Sequence, residues 1–278
     1  RAFGPLVVAG CAILFGNNWI AAYDWTGGSF LRLTWLALLV TALAALKRER
    51  WLLAGVLLGL ATADRLWPAF FLVGALLALL YQRWRGQLSD APWLRLGLGA
   101  AGSASALVVA SLIMFPAHYW LDFFHKLWLH NSTFFAMHIG FDKLAVRSLF
   151  LQGTPRWDGP VYVAWEQAMR AAYAQHALAF GLVKASALLS AAWLALRAKP
   201  PLAMMLFGGT ALFFASMPAN YYYGYLPLLF CALYPTDGAK DAAGSRSRTL
   251  ALFVLLLSFL VAPLMWPNGL RHSMSINA

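Results

Sequence analysis

The chain has 278 residues, 62% hydrophobic, 15% aromatic and only 11% charged, where soluble domains carry about a quarter charged residues. Its mean hydropathy is +0.66, more apolar surface than one soluble fold of this length can bury, so a water-soluble globular enzyme is excluded, as are disordered, collagenous and coiled-coil classes. The balance of 21 Lys and Arg against 10 Asp and Glu gives a net charge of +11, which suits the basic cytoplasmic loops of a polytopic membrane protein better than a nucleic-acid partner, because no basic stripe lies outside the inter-span loops.

Apolar runs fall at about 4–18, 31–46, 51–64, 66–82, 95–115, 178–197, 201–217, 220–235 and 249–266. They are continuous rather than alternating, which predicts helices and not barrel strands. The expectation is an all-α, polytopic helical membrane protein: one domain over 1–278, about nine hydrophobic helices, and a long periplasmic loop at 116–177 carrying surface helices. The first run, Pro5 to Phe15, has no charged stretch before it and is not read as a signal peptide. The chain opens on Arg1, and a further segment upstream is expected. Runs 51–64 and 66–82 are short. Fourteen residues rise about 20 Å, against a hydrocarbon core of roughly 30 Å. These two are expected to meet at Asp64-Arg65 below the membrane surface, with Pro68 opening the second.

Orientation follows from charge. Lys47, Arg48 and Arg50, then Arg83, Arg85 and Arg95, then Arg197 and Lys199, and finally Lys240, Arg246 and Arg248 mark four loops, which hold only Glu49, Asp90, Asp237 and Asp241 as acids. A nine-helix count puts all four loops on one side, as the positive-inside rule requires. A multi-pass protein of the inner (plasma) membrane is expected, with Asn17–Ser29, Ala63–Pro68, His118–Gln175 and Pro218–Tyr225 on the periplasmic side. Cys11 and Cys231, the two cysteines, both lie in apolar runs and suggest neither a zinc site nor a disulfide framework.

No phosphate-loop, H-E-x-x-H, G-x-S-x-G or D-x-D pattern occurs, which argues against ATP-driven transport in cis, zinc proteolysis and common serine hydrolysis. Ionisable groups at a membrane edge are costly and become candidates in their own right. Asp24 sits in an aromatic, glycine-bearing loop and reads either as part of an interfacial turn or as a catalytic or acceptor-binding carboxylate. Asp64 and Arg65, about 100° apart on a helix, each need another partner. They read as a structural ion pair pinning two helices, or Arg65 holds a phosphate. His118, Asp122 and His125 share one face of an amphipathic helix lying at the membrane surface. They are a solvated face, an acid–base or substrate-binding group, or a metal trio. Asp142, Lys143 and Arg147 are solvated charges or contain a phosphate clamp. The 156–170 stretch reads as a solvated linker, and Lys184 as a snorkelling side chain. Asn220, Tyr221 and Tyr222, in a run of four tyrosines, form an aromatic belt or present hydroxyls to a sugar or phosphate.

The stretch Leu52-Leu53-Ala54-Gly55-Val56-Leu57-Leu58-Gly59-Leu60-Ala61-Thr62-Ala63-Asp64-Arg65-Leu66-Trp67-Pro68 resembles the AGxLLGLAxxxKxxP segment of GT-C-type integral membrane glycosyltransferases. It is closest to bacterial polyprenol-phosphate-dependent mannosyltransferases. Gly28-Ser29-Phe30-Leu31-Arg32 and Asn220-Tyr221-Tyr222-Tyr223 are similar to that group too. The resemblance implies many helices, a long periplasmic loop bearing surface helices, a lipid-linked phospho-sugar donor, and an acidic base in the first periplasmic loop. Where the family has Lys before its proline, this chain has Arg65. The family's usual carboxylate follows the first helix of the full protein, upstream of this chain's expected start, so Asp24 does not simply inherit that role.

The chemistry also stands on the residues. Transfer from a polyprenyl phosphate needs a carboxylate to take the acceptor proton, cations for the leaving phosphate, and a greasy groove for the lipid. Asp24 and Asp122 are the catalytic candidates. Arg32, Arg65, His118, His125, Asp142, Lys143, Arg147, Asn220, Tyr221 and Tyr222 are the substrate-binding candidates. Direct inverting displacement is expected, with no nucleotide, no cofactor and no obligatory divalent metal. The partners are the bilayer, the lipid-linked sugar, and a glycan or lipid acceptor. A transporter would instead distribute polar residues along a path through broken helices. A catalytically inactive relative is the other alternative.

Overall fold

A computed structural model describes residues 3, 8–9, 11–12, 33–133, 140–147, 160–216, 218 and 220–233. Every regular element among them is helical. In chain order they are α1 (Thr34–Lys47), α2 (Trp51–Asp64), α3 (Ala69–Trp84), α4 (Ala91–Met114), α5 (His118–Ser132), α6 (Phe141–Arg147), α7 (Pro160–Gln175), α8 (Ala177–Arg197), α9 (Pro200–Ala215), a 3-10 turn at Asn220–Tyr225, and α10 (Leu226–Leu233).

Leu- and Ala-rich composition favours these helices, and punctuation residues divide them. Glu49 takes a left-handed φ of 56° to close α1, a task more often given to glycine. Arg65 ends α2 in extended backbone. Pro68, whose φ of −56° suits a helix start, precedes α3. Pro200 and Pro201 open α9.

The helices pack in adjoining layers: α1 on α2, α2 on α4, α3 on α9, and α8 on α3 and α9. The core gathers Trp35, Leu39, Leu43, Leu58, Phe71, Leu79, Leu96, Met204 and Leu212. Glycines allow the closest approach. A Cβ on Gly55 would collide with the backbone of Leu96, and one on Gly59 with Ser103 and Ala100. Ser103 Oγ donates to Val56 O at 3.0 Å across the same seam.

Two helices, α4 and α8, are long and apolar enough to cross a membrane, with 17% and 6% of their apolar windows buried. A long apolar helix in a soluble core would be covered. These two instead present Leu98, Val109, Ile113, Leu178, Leu182 and Leu189 outward, the surface that lipid accepts. Four shorter apolar helices are α1, α2, α3 and α9, and a fifth apolar helical stretch, Tyr222–Leu233, joins most of the 3-10 turn to α10. The expected runs at 31–46, 51–64, 66–82, 95–115, 178–197 and 201–217 thus correspond to described helices. Most of the 4–18 run and all of 249–266 lie outside the described residues.

The 116–177 segment holds α5, α6 and α7. The expected solvated linker at 156–170 is corrected: from Pro160 onward it is helix. Met169 is buried there against Val146, with Trp165, Tyr173 and Phe180 around them. The apolar spacing of Tyr162, Trp165, Met169 and Tyr173 gives α7 one face to bury. The 3-10 turn corrects a second reading. Tyr223 and Tyr225 are core residues, not a belt, and Tyr225 Oη donates to Gly209 O at 3.4 Å.

Candidate functional site at the α1–α2 corner

Asp64 and Arg65 occupy one corner of the bundle, where the start of α1, the end of α2 and the 3-10 turn come together. Asp64 forms no ion pair with a described residue. Its Oδ2 accepts a hydrogen bond from Thr34 Oγ1 at 2.6 Å, so a hydroxyl rather than a cation joins α1 to α2. Asp64 is exposed.

Next to this bond lies an aromatic wall. Trp35, fully buried, meets Trp67 edge-on with ring centroids 4.4 Å apart. Tyr222 completes the triangle at 6.0 Å from Trp35 and 5.2 Å from Trp67. Phe71 backs Trp67 at 5.6 Å. Chain continuity ties this wall to the polar pair: Trp35 follows Thr34, and Trp67 is two residues beyond Arg65.

Three N–H groups in this neighbourhood are buried without an acceptor: Trp35 Nε1, Trp67 Nε1 and Arg65 Nε. A buried donor without an acceptor costs about 1–3 kcal/mol. All three lie in one corner, one of them on a guanidinium. Neither tryptophan was among the sequence candidates, because aromatics beside a membrane edge read as a belt. The available signal was Trp67 in the segment Asp64-Arg65-Leu66-Trp67-Pro68.

The other candidates are placed differently. Asp142 and Lys143 are buried, correcting the reading as solvated charges. Lys184 Nζ donates to Asp142 Oδ1 and Oδ2 at 2.9 and 2.8 Å, and Tyr173 Oη lies 3.4 Å away. Lys184 is therefore held by a carboxylate rather than snorkelling. His118, Asp122 and His125 are exposed along α5. Among the described residues no three His, Cys, Asp or Glu side chains group to hold a metal ion. Asp24 and Arg32 lie outside the described residues, as do the side chains of Arg147, Asn220 and Tyr221.

Two further carboxylates are taken by cations. Asp90 pairs with Arg83, and Glu166 with Arg170 at 2.7 Å. The hydrogen bond from Arg83, aided by the Trp93 indole, holds the Asp90 carboxyl below the usual aspartate range. Among the described residues, the carboxylates of Glu49, Asp64 and Asp122 are in no ion pair, and of these Asp64 adjoins a cation whose Nε is buried without a partner.

Comparison with known families decides the class. Residues 7–218 match the sequence model of Glycosyltransferase family 87. The chain belongs to glycosyltransferase family 87. The match runs from before α1 to beyond α9 and contains the Thr34, Asp64, Arg65 and Trp67 corner. It bears out the resemblance to GT-C-type membrane glycosyltransferases, without distinguishing the mannosyl subtype. No curated protein and no solved structure matches the family 87 chain.

Proposed function

We propose that this family 87 glycosyltransferase is a multi-pass inner-membrane enzyme. It moves a sugar from a polyprenyl-phosphate donor to a glycan or lipid acceptor at the periplasmic face. One observation carries the choice of donor: Arg65, whose Nε is buried without an acceptor, sits in an apolar corner of a bundle whose long helices α4 and α8 are largely uncovered. A guanidinium suits a phosphate bidentately, and uncovered apolar helices suit a prenyl tail.

In this reaction the acceptor oxygen attacks the anomeric carbon as the carbon–oxygen bond to phosphate breaks. The electron pair leaves with the polyprenyl phosphate, whose charge Arg65 stabilises. A carboxylate receives the acceptor proton. Asp122, exposed on α5, and Asp24 are the candidates in this chain. No nucleotide or metal enters the scheme.

Turnover of a polyprenyl phospho-sugar by the full-length protein tests it. Arg65→Ala is expected to lower kcat about a hundredfold or more, and Arg65→Lys less, because a point charge remains. Unchanged kinetics in Arg65→Ala would remove Arg65 from the site.

A further inference from the structure

We infer that Asp64 is the residue that reads the sugar: its carboxylate accepts a hydrogen bond from a hydroxyl of the donor's glycosyl group while Arg65 holds the adjoining phosphate. This rests on the donor proposed above and adds a specificity-determining residue to it.

Three observations converge. First, Asp64 is exposed and in no ion pair with a described residue, whereas Asp90, Asp142 and Glu166 are each taken by a cation. Its hydrogen bond from Thr34 at 2.6 Å uses one lone pair of Oδ2. A carboxylate offers about four acceptor sites, so Oδ1 and the remaining Oδ2 position stay open to a ligand O–H. Second, the surroundings are donors: Trp35 Nε1, Trp67 Nε1 and Arg65 Nε have no acceptor. A ligand completing the corner must bring several acceptor oxygens for these groups and at least one hydroxyl for Asp64. A glycosyl phosphate carries both; a bare phosphate monoester at neutral pH carries almost only acceptors. Third, Asp64 is the last residue of α2 and Arg65 follows it in extended backbone, so both stand at the same end of that helix.

Stereochemistry assigns Asp64 to recognition rather than to proton abstraction. In a direct displacement the acceptor enters opposite the leaving phosphate, and a base must sit with it on that far side. Asp64 adjoins the cation that holds the phosphate, so it is on the leaving-group side. From there it can reach a ring hydroxyl but not the incoming nucleophile.

Binding measurements separate this inference from the donor proposal. The full-length protein in detergent micelles is titrated with polyprenyl phosphate mannose and with sugar-free polyprenyl phosphate. Asp64→Asn, nearly isosteric at an exposed position, is expected to weaken the glycosylated lipid about tenfold, the difference between a charged and a neutral acceptor, and to leave the sugar-free lipid unchanged. Arg65→Ala is expected to weaken both. If Asp64→Asn affects neither lipid, or both equally, Asp64 does not read the sugar, even when Arg65→Ala still weakens both. If Arg65→Ala affects neither, the phosphate assignment of Arg65 fails, and with it the basis for placing Asp64 at the sugar. If wild-type protein retains neither lipid, the donor proposal and this inference fall together. Asp64→Ala, with circular dichroism confirming an unchanged helical signal, repeats the comparison should the Asn side chain preserve a hydrogen bond.

Discussion

Lys184 Nζ, on the uncovered helix α8, reaches both carboxylate oxygens of Asp142 at 2.8 and 2.9 Å, across 42 residues of chain. The pair docks α6 onto the bundle, beside Phe141, whose ring lies 5.9 Å from Phe180 and 5.1 Å from Phe214. Removing the cation alone strands a buried carboxylate, which typically costs about 3 kcal/mol or more. Lys184→Met is therefore expected to lower the thermal unfolding midpoint in detergent clearly. Lys184→Met with Asp142→Leu should recover most of the loss, because two apolar side chains replace a desolvated pair. A double variant no more stable than the single one would show that the pair does not anchor α6.

The transmembrane-like helices were legible in the sequence because lipid-facing helices are continuously apolar. The 51–64 run coincides with α2, and 178–197 falls within α8. The loop helices were harder. Glu166, Gln167, Arg170 and Gln175 give α7 a polar appearance, and its buried stripe shows only when Tyr162, Trp165, Met169 and Tyr173 are taken together. The Lys184–Asp142 bond could not be read at all: each residue alone looked like a solvated or snorkelling charge, and local spacing carries no information on a pairing so distant in sequence. For the site, Arg65 stood out as a cation at a membrane edge. The Thr34 hydroxyl as the partner of Asp64, and the unpartnered tryptophan N–H groups, required the α1–α2 contact.

Arg83 and Asp90 give the α3–α4 turn a pH dependence of defined sign. The folded-state Asp90 carboxyl titrates below the usual aspartate range because Arg83 hydrogen-bonds its ionised form. The unfolded chain therefore binds the proton more readily. The contribution is fully present above the ordinary carboxylate pKa, about 3.9, and is lost as pH falls through the lowered folded value. Both side chains are about half exposed, so the effect is small. Unfolding midpoints of wild type and Arg83→Gln should differ slightly near neutral pH and converge on acidification. Curves that stay parallel throughout would show that the pair contributes nothing that titrates.

The α2–α4 seam predicts opposite outcomes for two glycines. Gly55 faces the Leu96 carbonyl and the Ala100 amide so closely that any side chain must separate the helices. Gly97, on α4, has nothing within 4 Å of an added Cβ. Gly55→Leu is expected to cost about 1–3 kcal/mol by overpacking. It should also reduce transfer, because Asp64 and Arg65 follow from the end of α2. Gly97→Ala is expected to be tolerated and to gain up to about 1 kcal/mol of helix propensity. Equal effects of the two on unfolding midpoint and turnover would contradict the close approach of α2 and α4.

The two cysteines offer a test of the contact between Cys11 and α10. Cys11 Sγ lies 3.1 Å from Cys231 Sγ and 3.4 Å from Pro227 O, which sets Cys11 against α10. Neither residue is in a motif that would announce such a pairing. Mild oxidation of the folded, detergent-solubilised protein with copper phenanthroline and molecular oxygen should join the two sulfurs. Two thiol hydrogens pass to oxygen, and a loop is closed between residues 220 positions apart. The product should migrate faster on a non-reducing gel, revert with dithiothreitol, and be absent in Cys11→Ser. Folded protein that keeps both thiols titratable under these conditions, and cross-links only after denaturation, would place Cys11 away from α10.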